Sequence, residues 1–157
     1  MNTLKAGDIA PLFSLKNQND ETINLADFVG NKQVLVYFYP KASTPGCTVQ
    51  ACGLRDSKQE LADHNTVVFG ISPDPVKRLT NFINKQELNF DLLSDEDHAV
   101  ADAFGVWGLK KFMGKEYDGI HRISFLVGLD GKISHVFDKF KTKDHHEVVL
   151  KHLSENS

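Results

Sequence analysis

The chain has little that would tie it to a polyanion, a membrane or a disulfide framework. Its 18 basic and 21 acidic side chains leave a formal charge of −3, with no basic surplus to neutralise phosphates. Nucleic acid is therefore not an expected partner. Two cysteines in 157 residues are far fewer than a stapled secreted domain carries. The segment Met1 to Asp8 has no basic region followed by an apolar run, so no secretion signal is read there. The longest strongly apolar stretch, Val34 to Tyr39, is far too short to cross a bilayer, and no membrane association is expected. Linkers, repeats and low-complexity runs are lacking too, which leaves one domain over residues 1–157. These absences point to the cytoplasm, where thiols stay reduced. A cysteine pair there is more often catalytic, redox-active or simply buried than a permanent crosslink.

What is present is an ordinary globular composition, 41% hydrophobic and 25% charged, with eleven Phe against one Trp and three Tyr to fill a core. Gln33 to Tyr39 is a β-branched and aromatic run without polar alternation, as expected of a central strand covered on both faces. Thr66 to Ser72 is a second such run and Arg122 to Val127 a third. The turn Leu129-Asp130-Gly131 then leads into Lys132 to Phe137, a hairpin. Phe13-Ser14-Leu15 and Thr22-Ile23-Asn24 flank a polar turn and predict an N-terminal β-hairpin. Helices are expected over Pro45 to about His64, Pro75 to about Glu87, Asp97 to Phe104 and about Lys143 to Leu153, with Asp95 or Asp97 capping the third. The predicted core residues include Ala51 or Ala62, Leu54, Leu61, Leu79, Phe82, Val148, Val149 and Leu153. Strand, helix, strand, helix, strand, strand, helix implies an α/β fold with a mixed central sheet flanked by helices, the layout of a thioredoxin-like fold.

The chemistry concentrates in Pro40 to Cys52, which follows a buried strand and opens a helix. It therefore lies at the carboxyl end of the sheet, where α/β folds bind ligands. Thr44 is a good N-cap, Pro45 suits the first helical position, and Cys47 becomes the third helical residue. Unpaired N–H groups and the positive helix end favour an anion there, and the thiolate is the reactive form of cysteine. Ionisation alone is a small gain. A free thiol is already roughly 3% ionised at pH 7, so complete ionisation adds at most about 30-fold. A fast thiol enzyme needs donors that act on its transition state, and the candidates are the Thr44 hydroxyl, the N–H of Cys47 itself and a cation from elsewhere in the chain.

Cys52 stands five residues after Cys47. In one helix their Cα atoms would be about 8.6 Å apart, whereas a disulfide tolerates at most about 6.8 Å. If Cys52 is to react with an oxidised Cys47, the first helical turns must unwind.

Pro40, Thr44 and Cys47 resemble the peroxiredoxin signature Pro-x-x-x-Thr-x-x-Cys. Gly46 to Asp56, Gly105-Val106-Trp107-Gly108 and Tyr117 to Leu126 resemble its bacterioferritin comigratory protein branch, the Q subfamily, and the likeness runs along essentially the whole chain. The resemblance implies a thioredoxin-dependent thiol peroxidase with Cys47 as the peroxidatic cysteine. Thr44 would hydrogen-bond the thiolate and the bound peroxide, Pro40 would shield them from water, and Arg122 would be the required cation. Cys52 would resolve the sulfenic acid through a Cys47–Cys52 disulfide. The substrates implied are hydrogen peroxide and organic hydroperoxides, and the reductant thioredoxin, with glutaredoxin or glutathione as alternatives. No cofactor is implied, and an intramolecular resolving cysteine favours a monomer. Ala42 departs from the Asp that many relatives carry inside the signature.

Other readings of the same residues are weaker. Thr44 would cap an inert helix equally well, and Arg122 could serve a surface ion pair. His145-His146 and His152 read as a solvated helix face, because adjacent helical residues do not share an ion. A thiol–disulfide exchange enzyme would want Cys-x-x-Cys, which is absent here. A binding or chaperone module on the same fold would have no need of Pro40, Thr44, Cys47 and Arg122 together. Trp107 between glycines is expected to pack on the core.

Overall fold

The computed structural model describes residues 1–156. The apolar run predicted to be a central strand forms β3 (Gln33–Phe38), with Val34 through Phe38 all buried. Its alternate side chains enter two different cores, as a strand covered on both faces requires. Val34, Val36 and Phe38 join Phe13, Phe69, Phe104 and Phe125 on one face. Leu35, Tyr37 and Tyr39 join Leu54, Leu79, Phe82, Val149 and Leu153 on the other. Each such large side chain contributes roughly 1.5–3 kcal/mol by leaving water, so this strand is the mechanical centre of the molecule.

Around β3 lie β1 (Ser14–Asn17), β2 (Thr22–Asn24), β4 (Thr66–Ser72), β5 (Asp91–Ser94), β8 (Ser124–Val127) and β9 (Ile133–Phe137), in the order β2-β1-β5-β4-β3-β8-β9. β3, β4 and β5 run parallel, and β8 runs antiparallel to β3. The two expected hairpins form, with Leu15 opposite Ile23 in the first and Gly131 at φ +79° turning the second. The mixed sheet flanked by helices is the layout expected.

The helices are α1 (Pro45–Asp56), α2 (Lys58–Asp63), α3 (Val76–Gln86), α4 (Ala99–Phe104) and α5 (His145–Glu155). The single helix expected over Pro45 to His64 is thus two, broken at the buried Ser57. Ala51, Leu54 and Leu61 are buried and Ala62 is exposed. His98 holds the N-cap position of α4, and both expected carboxylates serve its first turn: Asp95 accepts the Val100 and Ala101 N–H groups at 3.1 and 2.9 Å, and Asp97 accepts that of Ala99 at 3.2 Å. Burial pushes the Asp95 carboxyl upward and its two bonds oppose the shift.

Three strands escaped the sequence reading. β5 has only four residues, too few to show a period. β6 (Trp107–Phe112) and β7 (Lys115–Ile120) form a separate two-stranded hairpin whose side chains are largely exposed and mix charged with apolar groups. Trp107 packs against the first core as expected and also stacks on His98, with ring centroids 3.8 Å apart. The third main strand starts at Ser124, leaving Arg122 in the segment that precedes it.

Candidate active site

The site forms because parallel strands bring their carboxyl ends to one edge. The chain leaves β3 through Tyr39, Pro40 and Lys41, reverses at Ser43 (φ +65°), and enters α1 at Pro45. The next strand over, β4, ends at Ser72 and supplies Asp74 just beyond. The buried Asp74 carboxylate accepts both the Ala42 N–H and the Ser72 hydroxyl at 2.7 Å. That bond pins the middle of the loop. Ala42 contributes its backbone, with its side chain buried at 2% exposure, so the departure from Asp at this position leaves the anchoring contact in place.

Cys47 sits in the first turn of α1, 2% exposed. Because β8 is antiparallel to β3, with Ser124 opposite Tyr37, the segment before β8 returns to the carboxyl end of β3. It delivers Arg122, which is 75 positions from Cys47 in the chain, to hydrogen-bonding distance. Its Nη2 donates to Cys47 Sγ at 3.2 Å, and its Nη1 donates to Gln50 Oε1 at 2.9 Å. Gln50, fully buried and one helical turn after Cys47, fixes the guanidinium plane. Gly46 leaves room for this approach, since a Cβ there would stand 3.2 Å from Arg122 Nη2.

Pro40 and Thr44 are half-buried in the same loop. Thr44 occupies the N-cap position, but its side chain caps nothing. Its hydroxyl donates to Lys41 O at 2.8 Å, while its carbonyl accepts the Thr48 N–H and hydroxyl. The donor proton of Thr44 is thus committed within the loop, and its oxygen lone pairs are what it can offer to the pocket.

Both cysteines are free thiols and both lie in α1. Cys52 is half-buried on the side facing α3, where Sγ meets Gln86 Oε1 at 3.7 Å. One continuous helix holds the two sulfurs apart, as helical geometry requires.

Tyr37 and Tyr39 lie beneath the helix with stacked rings, and burial raises the pKa of both phenols. The expectation of a solvated histidine face is wrong for His145, which is completely buried. Its Nε2 meets Ser124 Oγ at 2.8 Å and its ring packs on Tyr37 and Phe140. α5 crosses β8 at that point, so its first residue faces the sheet. Burial drives the imidazole pKa down to about 3, keeping it neutral. His146 lies against Gly53 of α1, and His152 stacks on His135. Among the described residues no three or more side chains gather as a metal site would need.

Gln50 and Asp74 were missed from the sequence. Gln50 could have been found from its spacing of three from Cys47, and Asp74 from its place just beyond a second buried strand.

Residues 6–136 match the AhpC/TSA family. Peroxiredoxin Bcp of Escherichia coli is 64% identical over the whole of both chains. The chain belongs to the AhpC/TSA family. It is a peroxiredoxin, and hence a thiol peroxidase and an oxidoreductase. Two solved structures align over nearly the whole peroxiredoxin. Peroxidoxin BcpB from Mycobacterium tuberculosis has a TM-score of 0.87 at 32% identity, covering 98% of this chain and 99% of that one. The bacterioferritin comigratory protein of Xanthomonas campestris has a TM-score of 0.88 at 32% identity, covering 96% and 98%. The thioredoxin-like fold and the Q-type resemblance follow from these matches.

Proposed function

We propose that Cys47 is the peroxidatic nucleophile, Cys52 the resolving thiol, Arg122 the group that binds and polarises the peroxide, Thr44 the acceptor that holds its O–H, and Pro40 the shield over them. The observation that carries this reading is the Arg122 guanidinium donating to Cys47 Sγ while Gln50 holds it in place. A cation at that point stabilises the thiolate and, during attack, the charge moving onto the peroxide oxygens. The Cys47 sulfur forms a bond to one peroxide oxygen as the O–O bond breaks. The other oxygen leaves with a proton as water or an alcohol, and Cys47 is left as a sulfenic acid. The start of α1 then unwinds, and Cys52 attacks the sulfenic sulfur. Hydroxide departs and is protonated to water, leaving the Cys47–Cys52 disulfide. A dithiol reductant, thioredoxin in this reading, with glutaredoxin or glutathione as alternatives, restores both thiols.

Hydrogen peroxide and organic hydroperoxides are the proposed substrates. The organic class is supported by the alkyl peroxide reduction reported for the Xanthomonas relative. With the resolving thiol in the same helix as the nucleophile, the proposed cycle needs no second subunit, which supports a monomer of one domain. A reducing cytoplasm suits two free thiols. No helix among the described residues is long and apolar enough to cross a membrane.

The test is thioredoxin-coupled peroxide reduction by wild type, Cys47→Ser and Cys52→Ser. Cys47→Ser should lose all turnover, and Cys52→Ser should stop as a sulfenic acid after one turnover. Sustained turnover by Cys47→Ser would defeat the central assignment; sustained turnover by Cys52→Ser would move resolution to an external thiol.

A further inference from the structure

The β6–β7 hairpin is not hydrogen-bonded into the seven-stranded sheet, yet its second strand runs directly into the active-site arginine. β7 ends at Ile120, and His121 and Arg122 follow. Three contacts fasten this junction to the hairpin's first strand and its approach. The His121 N–H donates to Val106 O at 2.8 Å, and His121 Nε2 lies 3.1 Å from Leu109 O. The third is Lys110, whose Nζ donates to Ile120 O at 2.8 Å, two residues before the guanidinium. Lys110 is directly opposite Tyr117 in the hairpin register and only half-buried, so its side chain could have pointed to water. Instead the stem crosses Gly119, where a Cβ would stand 3.2 Å from Lys110 Cδ. The glycine makes that path possible.

Among the described residues, neither Lys110 nor Arg122 is ion-paired with a carboxylate. Their charges are therefore not cancelled locally. In a pocket with an apolar floor of Tyr37, Tyr39 and Ala51, such a charge acts over a longer distance than it would in water. We propose that Lys110 is a positioning residue for the peroxidase reaction, anchoring the Arg122 segment through the Ile120 carbonyl and adding a second positive charge to the Cys47 pocket. The lysine pKa is lowered by burial first and by the Arg122 charge next, with Cys47 pulling the other way. Tyr37 of β3 and Tyr39 just beyond its end share the second core with Cys47.

The inference rests on the peroxidase reading for its consequence, but its test does not. In a Cys52→Ser background, Cys47 is alkylated with neutral iodoacetamide and with anionic iodoacetate in Lys110→Met, Lys110→Gln and Lys110→Arg proteins. The ratio of the two rates cancels the thiolate fraction and reports the field at the sulfur. Single-turnover oxidation by hydrogen peroxide is followed in parallel, and a thermal melt confirms folding. Lys110→Met should lower the iodoacetate-to-iodoacetamide ratio by about threefold and the peroxide rate by about tenfold. Lys110→Gln, which can still donate to Ile120 O, should show the lowered ratio with a peroxide rate above that of Lys110→Met. Lys110→Arg should restore both. An unchanged ratio in Lys110→Met overturns the charge role, and equal peroxide rates for the Met and Gln variants overturn the positioning role. An arginine variant as defective as the methionine one overturns both. If peroxide fails to oxidise Cys47 in any of these proteins, the peroxidase reading fails, and the alkylation ratio still decides the field.

Discussion

The two ends of α1 are held by different kinds of bond. At the amino end, Arg122 reaches the helix through Cys47 Sγ and the Gln50 amide. At the carboxyl end, Arg55 Nη1 donates to Gln86 O at 2.6 Å, Asn89 Nδ2 to Arg55 O at 3.1 Å, and Lys58 Nζ to Asn89 O at 2.6 Å. These three ties use backbone carbonyls of α1, α3 and the loop after it, so they are indifferent to the redox state of Cys47. A principal tie at the amino end is the reacting atom itself. If Cys47 is oxidised as proposed, the end that would have to move loses this tie while the other end keeps its own. Gly53, close to the junction of the two regions, adds an intrinsic weakness of roughly 1 kcal/mol relative to alanine in a helix.

The largest test of this contrast is at the amino end. Arg122→Gln should reduce the single-turnover rate of Cys47 oxidation about a hundredfold, in line with loss of a preorganised transition-state donor, while a thermal melt shows the fold retained. A loss below tenfold would mean that Arg122 is a structural partner of Gln50 and little else.

A second test asks whether α5, which supports the other side of α1, is sensitive to acid. The folded-state pKa of His145 is about 3, below the ordinary value of 6.5 for the free side chain. Between those values the unfolded chain binds a proton that the folded one refuses. Stability should thus be fully present above about pH 6.5 and fall as pH drops toward 3, with a slope approaching about 1.4 kcal/mol per pH unit. Urea unfolding from pH 7 to 4 checks this against His145→Gln, which should flatten the slope. An equal slope in both would assign the acid sensitivity to other groups.

The smallest effect expected is at the clamp. Arg55→Ala should destabilise the reduced protein by about 1 kcal/mol and leave Cys47 oxidation unchanged. Amide exchange should rise across residues 46–54 on oxidation of the wild type and extend into residues 55–63 in the variant. Unchanged protection at 46–54 on oxidation would remove the unwinding step from the mechanism.

Much of this was legible before any coordinates. Buried strands announced themselves in Gln33 to Tyr39 and Thr66 to Ser72, because a strand covered on both faces has no polar alternation to hide it. Pro45 and Cys47 in the first turn of a helix after such a strand placed the thiol. The hairpin β6–β7 was illegible because its exposed strands mix lysine, glutamate and glycine with no apolar period. His145 misled because two adjacent histidines on a helix look solvated until α5 is seen to cross β8 at Ser124.

Local sequence thus determined the proposed nucleophile, the helix that presents it and the separation that forbids a disulfide within that helix. Each depends on backbone geometry over a dozen residues and on nothing further away. Tertiary structure decided which groups surround the sulfur. Arg122, Asp74 and Lys110 meet around that pocket only because β8 pairs antiparallel with β3, β4 ends beside it, and a small hairpin leans on the junction. Sequence periodicity reports the faces of one element at a time, and the pairing of distant elements that carries a cation to a thiol is a property of the sheet as a whole.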